Sequence, residues 1–269
     1  MKIGFIGGGN MASAIIGAII KNEFVSCDQV IVSDIDNTRC NALHLETGVQ
    51  IACGNVDLVK HSDIIFLAVK PIYVQNVLLE IKPFMSHKSV VSIVTGWTYR
   101  RLSEMLKEVS DLQLICVMPN MPALVSEGMT ALIDGYTLNE ERFSFIKGLF
   151  DSIGRTVILP EHMLEGFIAA SGSSPAYFYI FLEALADAAV KEGLTRDLAY
   201  LVSAQAMKGA AKMVLDSGRH PAELKDSVCS PGGATIEAVI ELERGGIRSA
   251  VMNAVLANAA KVRLMMRHG

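Results

Sequence analysis

Short, uninterrupted apolar runs alternate with helical patterns through the first half of the chain. Residues 2–6, 29–33, 64–69, 90–94 and 113–117 are continuously apolar or β-branched and predict strands buried on both faces. Between them, residues 10–22, 36–47, 72–81 and 99–108 carry apolar side chains at helical spacing. Strand–helix alternation of this kind predicts a doubly wound parallel sheet. A strand at 130–133, a helix at 139–152 and a strand at 156–159 complete this α/β domain, placed at residues 1–160.

Beyond Pro160 the strand signal stops. Helices are expected at 162–170, 175–192, 196–217, 221–228, 236–244 and 248–267, an all-α second domain covering 161–269. Ser174 before Pro175 is an N-cap followed by proline at the first helical position. Gly193, Gly218 and Gly245 stand where C-terminal caps belong. Residues 175–190 and 250–262 are apolar or alanine-rich nearly all round, so a monomer has too little interior to bury them and an interlocked dimer is expected. Glu183 and Asp187 interrupt the first of these runs, which therefore does not read as a membrane span.

Composition sharpens this picture. The 269 residues are 51% hydrophobic and only 19% charged, which again points to surface covered between subunits. A formal charge of −4 gives no electrostatic reason to expect nucleic acid or an anionic membrane as partner. The five cysteines (Cys27, Cys40, Cys53, Cys116, Cys229) are dispersed, and the six histidines form no metal-ligand spacing with them. With a strand at the amino terminus in place of a signal-peptide pattern, a reducing, cytoplasmic setting is expected, with no metal site.

Candidate chemistry begins where the first strand meets Gly7-Gly8-Gly9-Asn10-Met11-Ala12. Strand, G-x-G-x-x-G/A and helix in succession form a dinucleotide-binding fingerprint. Gly7 permits the tight turn, Gly9 lets a pyrophosphate approach the helix N-terminus, and Ala12 allows close helix–strand packing. The second strand ends Val32-Ser33-Asp34. Asp34 suits the free ribose 2′-hydroxyl of NAD, or serves as a turn residue; Ser33 with Arg39 suits the 2′-phosphate of NADP. Lys70, ending the Ala68-Val69-Lys70-Pro71 stretch, lies at the carboxyl edge of the sheet and reads equally as a phosphate partner or a solvated lysine. Residues 118–123, with Pro119 and Pro122 flanking Asn120, predict a rigid turn at the same edge, suited to a nicotinamide ring or a substrate.

A second glycine loop stands out in the helical half: Cys229-Ser230-Pro231-Gly232-Gly233-Ala234-Thr235. Its backbone can approach a small ligand closely, Thr235 is placed to cap the helix at 236–244, and the start of that helix offers free N–H groups to an anion. A plain glycine-containing connection is the alternative. His220, before Pro221 at a helix start, reads as structural.

Taken together, these stretches resemble pyrroline-5-carboxylate reductase. The resemblance runs through Gly4-Phe5-Ile6-Gly7 to Ala12, Ala68-Val69-Lys70-Pro71, Met118-Pro119-Asn120, Ser171-Gly172-Ser173-Ser174-Pro175-Ala176-Tyr177, and His220-Pro221 to Thr235. One departure is Met121, where the family usually places threonine. The resemblance implies a Rossmann-type doubly wound first domain and an all-α dimerisation domain, in members that also assemble into a pentamer of dimers, a decamer. It implies reduction of L-1-pyrroline-5-carboxylate to L-proline with NADPH, less commonly NADH, the last step of proline synthesis. By similarity, Gly7, Gly9, Asn10, Met11, Ser33, Asn55, Ala68, Val69, Lys70 and Pro71 would contact the cofactor. Ser230, Gly232, Gly233, Ala234 and Thr235 would hold the substrate, with the Thr235 hydroxyl on the ring nitrogen. The active site is expected at or near the subunit interface.

The chemistry suits these residues. A protonated cyclic imine accepts hydride directly, so positioning matters more than a general base, and none stands near the loop. The β-hydroxyacid dehydrogenases share the amino-terminal pattern but need a lysine base, and Phe178 occupies the corresponding position after Gly172 and Ser174. A nucleotide-sensing scaffold would keep the first glycine loop but has no evident use for the second.

Overall fold

The computed structural model describes the backbone of residues 1–268 and the side chains of residues 1–266. In chain order the first elements are β1 (Ile3–Ile6), α1 (Asn10–Lys21), β2 (Val30–Ser33), α2 (Asn37–Thr47), β3 (Gln50–Ile51) and α3 (Asn55–His61). β4 (Ile64–Leu67), α4 (Val74–Ile81), β5 (Ser89–Ser92), α5 (Tyr99–Met105), β6 (Gln113–Met118) and β7 (Gly128–Ile133) follow. Then come α6 (Glu140–Asp151), β8 (Gly154–Leu159), α7 (Leu164–Phe167), α8 (Ser174–Lys191), α9 (Arg196–Ser217), α10 (Pro221–Ser227), α11 (Ala234–Arg244) and α12 (Ile247–His268).

The strands form one sheet in the order β3-β2-β1-β4-β5-β6-β7-β8. All pairings are parallel except β6–β7, which are antiparallel. The exception has a geometric cause. Only residues 119–127, carrying the 3₁₀ turn Met121–Val125, join these strands, too short a link for a parallel crossover. Chain direction along the sheet reverses at β1, which lies between β2 and β4, so the carboxyl ends of β1 and β4 flank the topological switch point.

Alternation along each strand feeds two apolar layers. Ile3, Phe5, Val32, Phe66 and Val91 face α1, α2 and α6, where Ile15, Ile16, Leu43 and Phe150 are buried, and the Phe5 and Phe66 rings stack at 4.4 Å. Ile6, Leu67, Val90 and Cys116 face the other way, against Leu58, Leu78, Ile81 and Leu102. Gly4 lets α3 reach the sheet, since a Cβ there would lie 2.4 Å from a Leu58 methyl.

Two elements, β3 and α3, have no counterpart in the apolar pattern. β3 is a two-residue exposed edge held by pairing to β2, and α3 is a single short helix following Gly54. The helix expected at 162–170 divides into a 3₁₀ turn (Glu161–Met163), α7 and a π-helical segment (Ile168–Gly172) closed by Ser173 N–H donating to the Ile168 carbonyl at 2.8 Å.

The chain packs as two compact units: residues 1–173 with the residues from Asn258 onward, and Ser174–Ala257. Residues 161–173 join the sheet unit because Leu164 and Ile168 are buried in its second layer. In the helical unit α8 buries only Ser174 and Ala186, and α9 only Ala199 and Ser203. Phe178, Ile180, Leu201, Met213, Met252 and Leu256 are all exposed. Among the described residues no helix is long and apolar enough to cross a membrane, and no cluster of His, Cys, Asp or Glu could hold a metal.

Candidate functional site

In the sheet unit a cavity of about 740 Å³ opens at the carboxyl ends of β1, β2 and β4. Gly7 makes the turn out of β1 with φ +105, and its N–H donates to the Ser33 carbonyl at 2.7 Å. A Cβ at Gly7 would lie 2.6 Å from the Ala68 carbonyl oxygen. Gly9 is the N-cap of α1, in extended geometry and without a side-chain cap. A Cβ on Gly9 would meet only the Arg39 guanidinium, at 3.9 Å, so the backbone faces open space there. The helix start thus presents uncapped N–H groups to the cavity, as an anion requires.

Of the residues expected at the cofactor, Gly7, Gly9, Asn10, Ser33, Asn55, Ala68, Val69 and Lys70 line this cavity. Met11 and Pro71 do not. Met11 packs against the apolar layer beneath α1. Pro71 starts a 3₁₀ turn, and its carbonyl accepts the Trp97 indole N–H at 3.0 Å. The far wall comes from Tyr73, Asn76, Val77 and Glu80, on and before α4, residues that in sequence look like an ordinary exposed helix face.

Polar groups at the β2 end are connected. The Ser33 hydroxyl donates to Asn55 Oδ1 at 3.0 Å, and Asn55 Nδ2 donates to Glu80 at 2.8 Å, which fixes the amide orientation. Asp34 accepts from the Gly8 N–H at 2.7 Å through Oδ2 and from the Asp36 N–H at 2.9 Å through Oδ1. Arg39 lies 4.0 Å from Asp34 and 3.4 Å from Asp36. Hydrogen bonding by Thr38, with Arg39 beside it, holds the Asp36 carboxyl below the usual carboxylate range.

Asn120 is committed elsewhere. Its amide donates to the Ser171 carbonyl at 3.1 Å and hydroxyl at 3.3 Å, while Oδ1 accepts the Met129 N–H at 2.8 Å. It clamps the turn after β6 to β7 and to the π-helical segment.

In the helical unit the second glycine loop joins α10 to α11. Gly233 N–H donates to the Ser230 carbonyl at 3.0 Å, with Pro231 second and Gly232 (φ +68) third, the residue pattern of a type II turn. A Cβ at Gly233 would lie 2.4 Å from the Ser230 hydroxyl and 3.1 Å from its carbonyl oxygen, so the hydroxyl would have to rotate away. Thr235 is not the cap that its position suggested. The helix starts two residues earlier, with Gly233 in extended geometry as N-cap, so Thr235 falls inside the first turn and its exposed side chain is not spent on capping. Ser230, Gly232 and Ala234 are exposed beside it. His220 caps α10, its Nδ1 accepting the Ala222 N–H at 3.2 Å, which is a structural task.

Residues 161–265 match the family model described as pyrroline-5-carboxylate reductase dimerisation, and residues 2–96 match that of coenzyme F420-dependent NADP oxidoreductases. The chain is 44% identical over 255 residues to pyrroline-5-carboxylate reductase of Escherichia coli K12, spanning 94% of each protein. The chain belongs to the pyrroline-5-carboxylate reductase family. Solved structures bearing this name cover nearly all of the chain. The Plasmodium falciparum enzyme, solved with NADP bound, superposes with TM-score 0.88 at 34% identity over 99% of this chain and 98% of that one. The Streptococcus pyogenes enzyme gives 0.84 at 34% identity over 97% and 98%.

Proposed function

We propose that the protein reduces L-1-pyrroline-5-carboxylate to L-proline with NADPH, the last step of proline biosynthesis. The observation that carries this reading is a relationship spanning 94% of both chains, at 44% identity, to a reductase of this name. The cavity residues fit a dinucleotide: Gly7 brings β1 and β4 within backbone contact, and Gly9 leaves open space at the N-terminus of α1 for a pyrophosphate. When bound, NADPH supplies the hydride equivalent. Gly9 and Asn10 hold the phosphates, while Ser33 and Asn55 meet the adenosine ribose. Ala68, Val69 and Lys70 line the same cavity and would contact the cofactor there.

The loop after α10 holds the substrate. Ala234, Thr235 and Ile236 occupy the first turn of α11, where N–H groups lack intrahelical partners and suit a carboxylate. Gly232 and Gly233 keep the loop backbone bare, and Ser230 adds a hydroxyl. Thr235, free of capping, hydrogen-bonds the ring nitrogen. Once the carbon has accepted hydride, the nitrogen carries the proton of the former iminium as a secondary amine, so no general base is required.

Residues 1–160 act as the dinucleotide-binding domain and 161–269 as the dimerisation and substrate domain. The exposed apolar faces of α8, α9 and α12 are those that self-association covers. Assembly of dimers into a decamer and a cytoplasmic location belong to the same proposal. The test is turnover by purified protein. Reduced-nicotinamide absorbance should fall when pyrroline-5-carboxylate is added with NADPH; binding without turnover of either NADPH or NADH would favour a sensor instead.

A further inference from the structure

Resting on the NADPH reading above, we infer that Arg39 is the residue that selects the phosphorylated cofactor, and that Asp34 is a strut of the glycine loop, not a reader of the ribose. An acidic residue at the end of β2 normally discriminates by accepting from a ribose diol with its carboxylate oxygens. Here each oxygen of Asp34 already accepts a backbone N–H, one from Gly8 and one from Asp36. The side chain lines the cavity but is only 10% exposed, held there by these two N–H groups. Turning it toward a ribose would strip the Gly8 N–H of its acceptor at the heart of the loop.

Arg39 is placed differently. It is 53% exposed, lines the same cavity, and its guanidinium stands over the loop, near Gly9. Asp34 and Asp36 hold its orientation from one side at 4.0 and 3.4 Å, beyond close hydrogen-bond length. The planar fork therefore keeps donors for a phosphate, which it can grip with two parallel N–H groups. Asp36 tempers the attraction by competing for the same guanidinium.

Calorimetric titration of adenosine 2′,5′-bisphosphate and of adenosine 5′-monophosphate separates the 2′ group from the rest, since the two differ by one phosphate. Wild-type protein should prefer the bisphosphate at least tenfold. Arg39→Ala should lower affinity for the bisphosphate by roughly 10- to 100-fold, as loss of a charge-assisted pair implies, and for the monophosphate by less than about threefold. Arg39→Lys should retain part of the preference. Asp36→Asn, which preserves an N-cap of α2, should raise bisphosphate affinity severalfold. Equal losses for both nucleotides in Arg39→Ala would assign Arg39 to the common phosphate, and an unchanged bisphosphate affinity would remove it from binding; either overturns the inference. Wild-type protein that turns over NADPH but binds both probes equally also overturns it, whereas wild-type protein that neither binds the probes nor turns over NADPH refutes the cofactor reading itself.

Discussion

Alanine at Gly7 and at Gly9 should injure the protein in different ways, although the glycines are two residues apart. At Gly7 the backbone sits at φ +105, where a Cβ is disfavoured by about 1–2 kcal/mol. The added methyl would also lie 2.6 Å from the Ala68 carbonyl oxygen and 2.8 Å from its carbon. Those are backbone atoms anchored by the Ala68 N–H bond to Ile6 at 2.9 Å, so relief requires parting the ends of β1 and β4. Losing that bond adds about 1 kcal/mol, for a total of roughly 2–4 kcal/mol. The expected fall in Tm is roughly 5–15 °C for a chain of this size, with NADPH affinity lost in parallel. At Gly9 the backbone (φ −75, ψ 179) suits alanine, and the nearest atom to the new methyl is Arg39 Nη1 at 3.9 Å. Exchange of an N-cap glycine should shift Tm by no more than a few degrees. The methyl would occupy the approach of the pyrophosphate to the α1 N–H groups, and a lost charge-assisted hydrogen bond of ~1.5–3 kcal/mol predicts 10- to 100-fold weaker NADPH binding. Thermal melts and calorimetric titration on both variants decide the matter. Wild-type NADPH affinity in Gly9→Ala would show that the phosphates do not lie on this helix, and a wild-type Tm in Gly7→Ala would refute the packing argument.

Thr235→Ala should lower turnover roughly 10- to 100-fold and leave Tm within about 2 °C, because its hydroxyl is not spent on capping; unchanged turnover takes Thr235 out of the reaction. Asn120→Ala should cost about 2–4 kcal/mol in urea unfolding, leaving the Met129 N–H without its acceptor, whereas Asn120→Asp, which keeps that acceptor, should cost less. Equal losses would show that the Ser171 contacts dominate. Burial pushes the Cys116 thiol up to about 12 from 9.0, so folding favours the neutral thiol. Its contribution is therefore full below pH 9 and fades as the pH rises toward 12. Urea midpoints should fall across that window less steeply in Cys116→Ala than in wild type, and identical slopes would refute the assignment. Sedimentation should give a dimer or larger species, and a monodisperse monomer would contradict the role given to α8, α9 and α12.

What the sequence made legible was whatever a few adjacent residues decide among themselves. A four-residue apolar strand, a glycine that tolerates positive φ and an alanine-rich helix follow one another between Ile3 and Lys21, so that stretch could be read without the rest of the chain. β3 and α3 could not be read this way: Gln50 and Ile51 are exposed and form a strand only because β2 offers them a partner. The antiparallel step at β6–β7 likewise follows from the length of a connection, not from either strand's composition.

Side-chain duties divide along the same line. Asp34, Asn120 and Thr235 are all polar residues at loop ends, and residue type alone allowed each of them to touch a ligand. Asp34 and Asn120 turn out to face backbone N–H groups brought near by the fold, Gly8 across a turn and Met129 on a neighbouring strand. Thr235, expected to be a cap, is the one left unengaged, because the glycine two residues before it takes the N-cap geometry instead. The physical criterion is whether the backbone has already claimed the group. A buried carboxylate or amide that satisfies backbone donors can release them for a ligand only at the cost of an orphaned N–H, about 1–3 kcal/mol each. That cost separates the residues that build each loop from those left free to meet a ligand, Arg39 in the sheet unit and Thr235 in the helical unit.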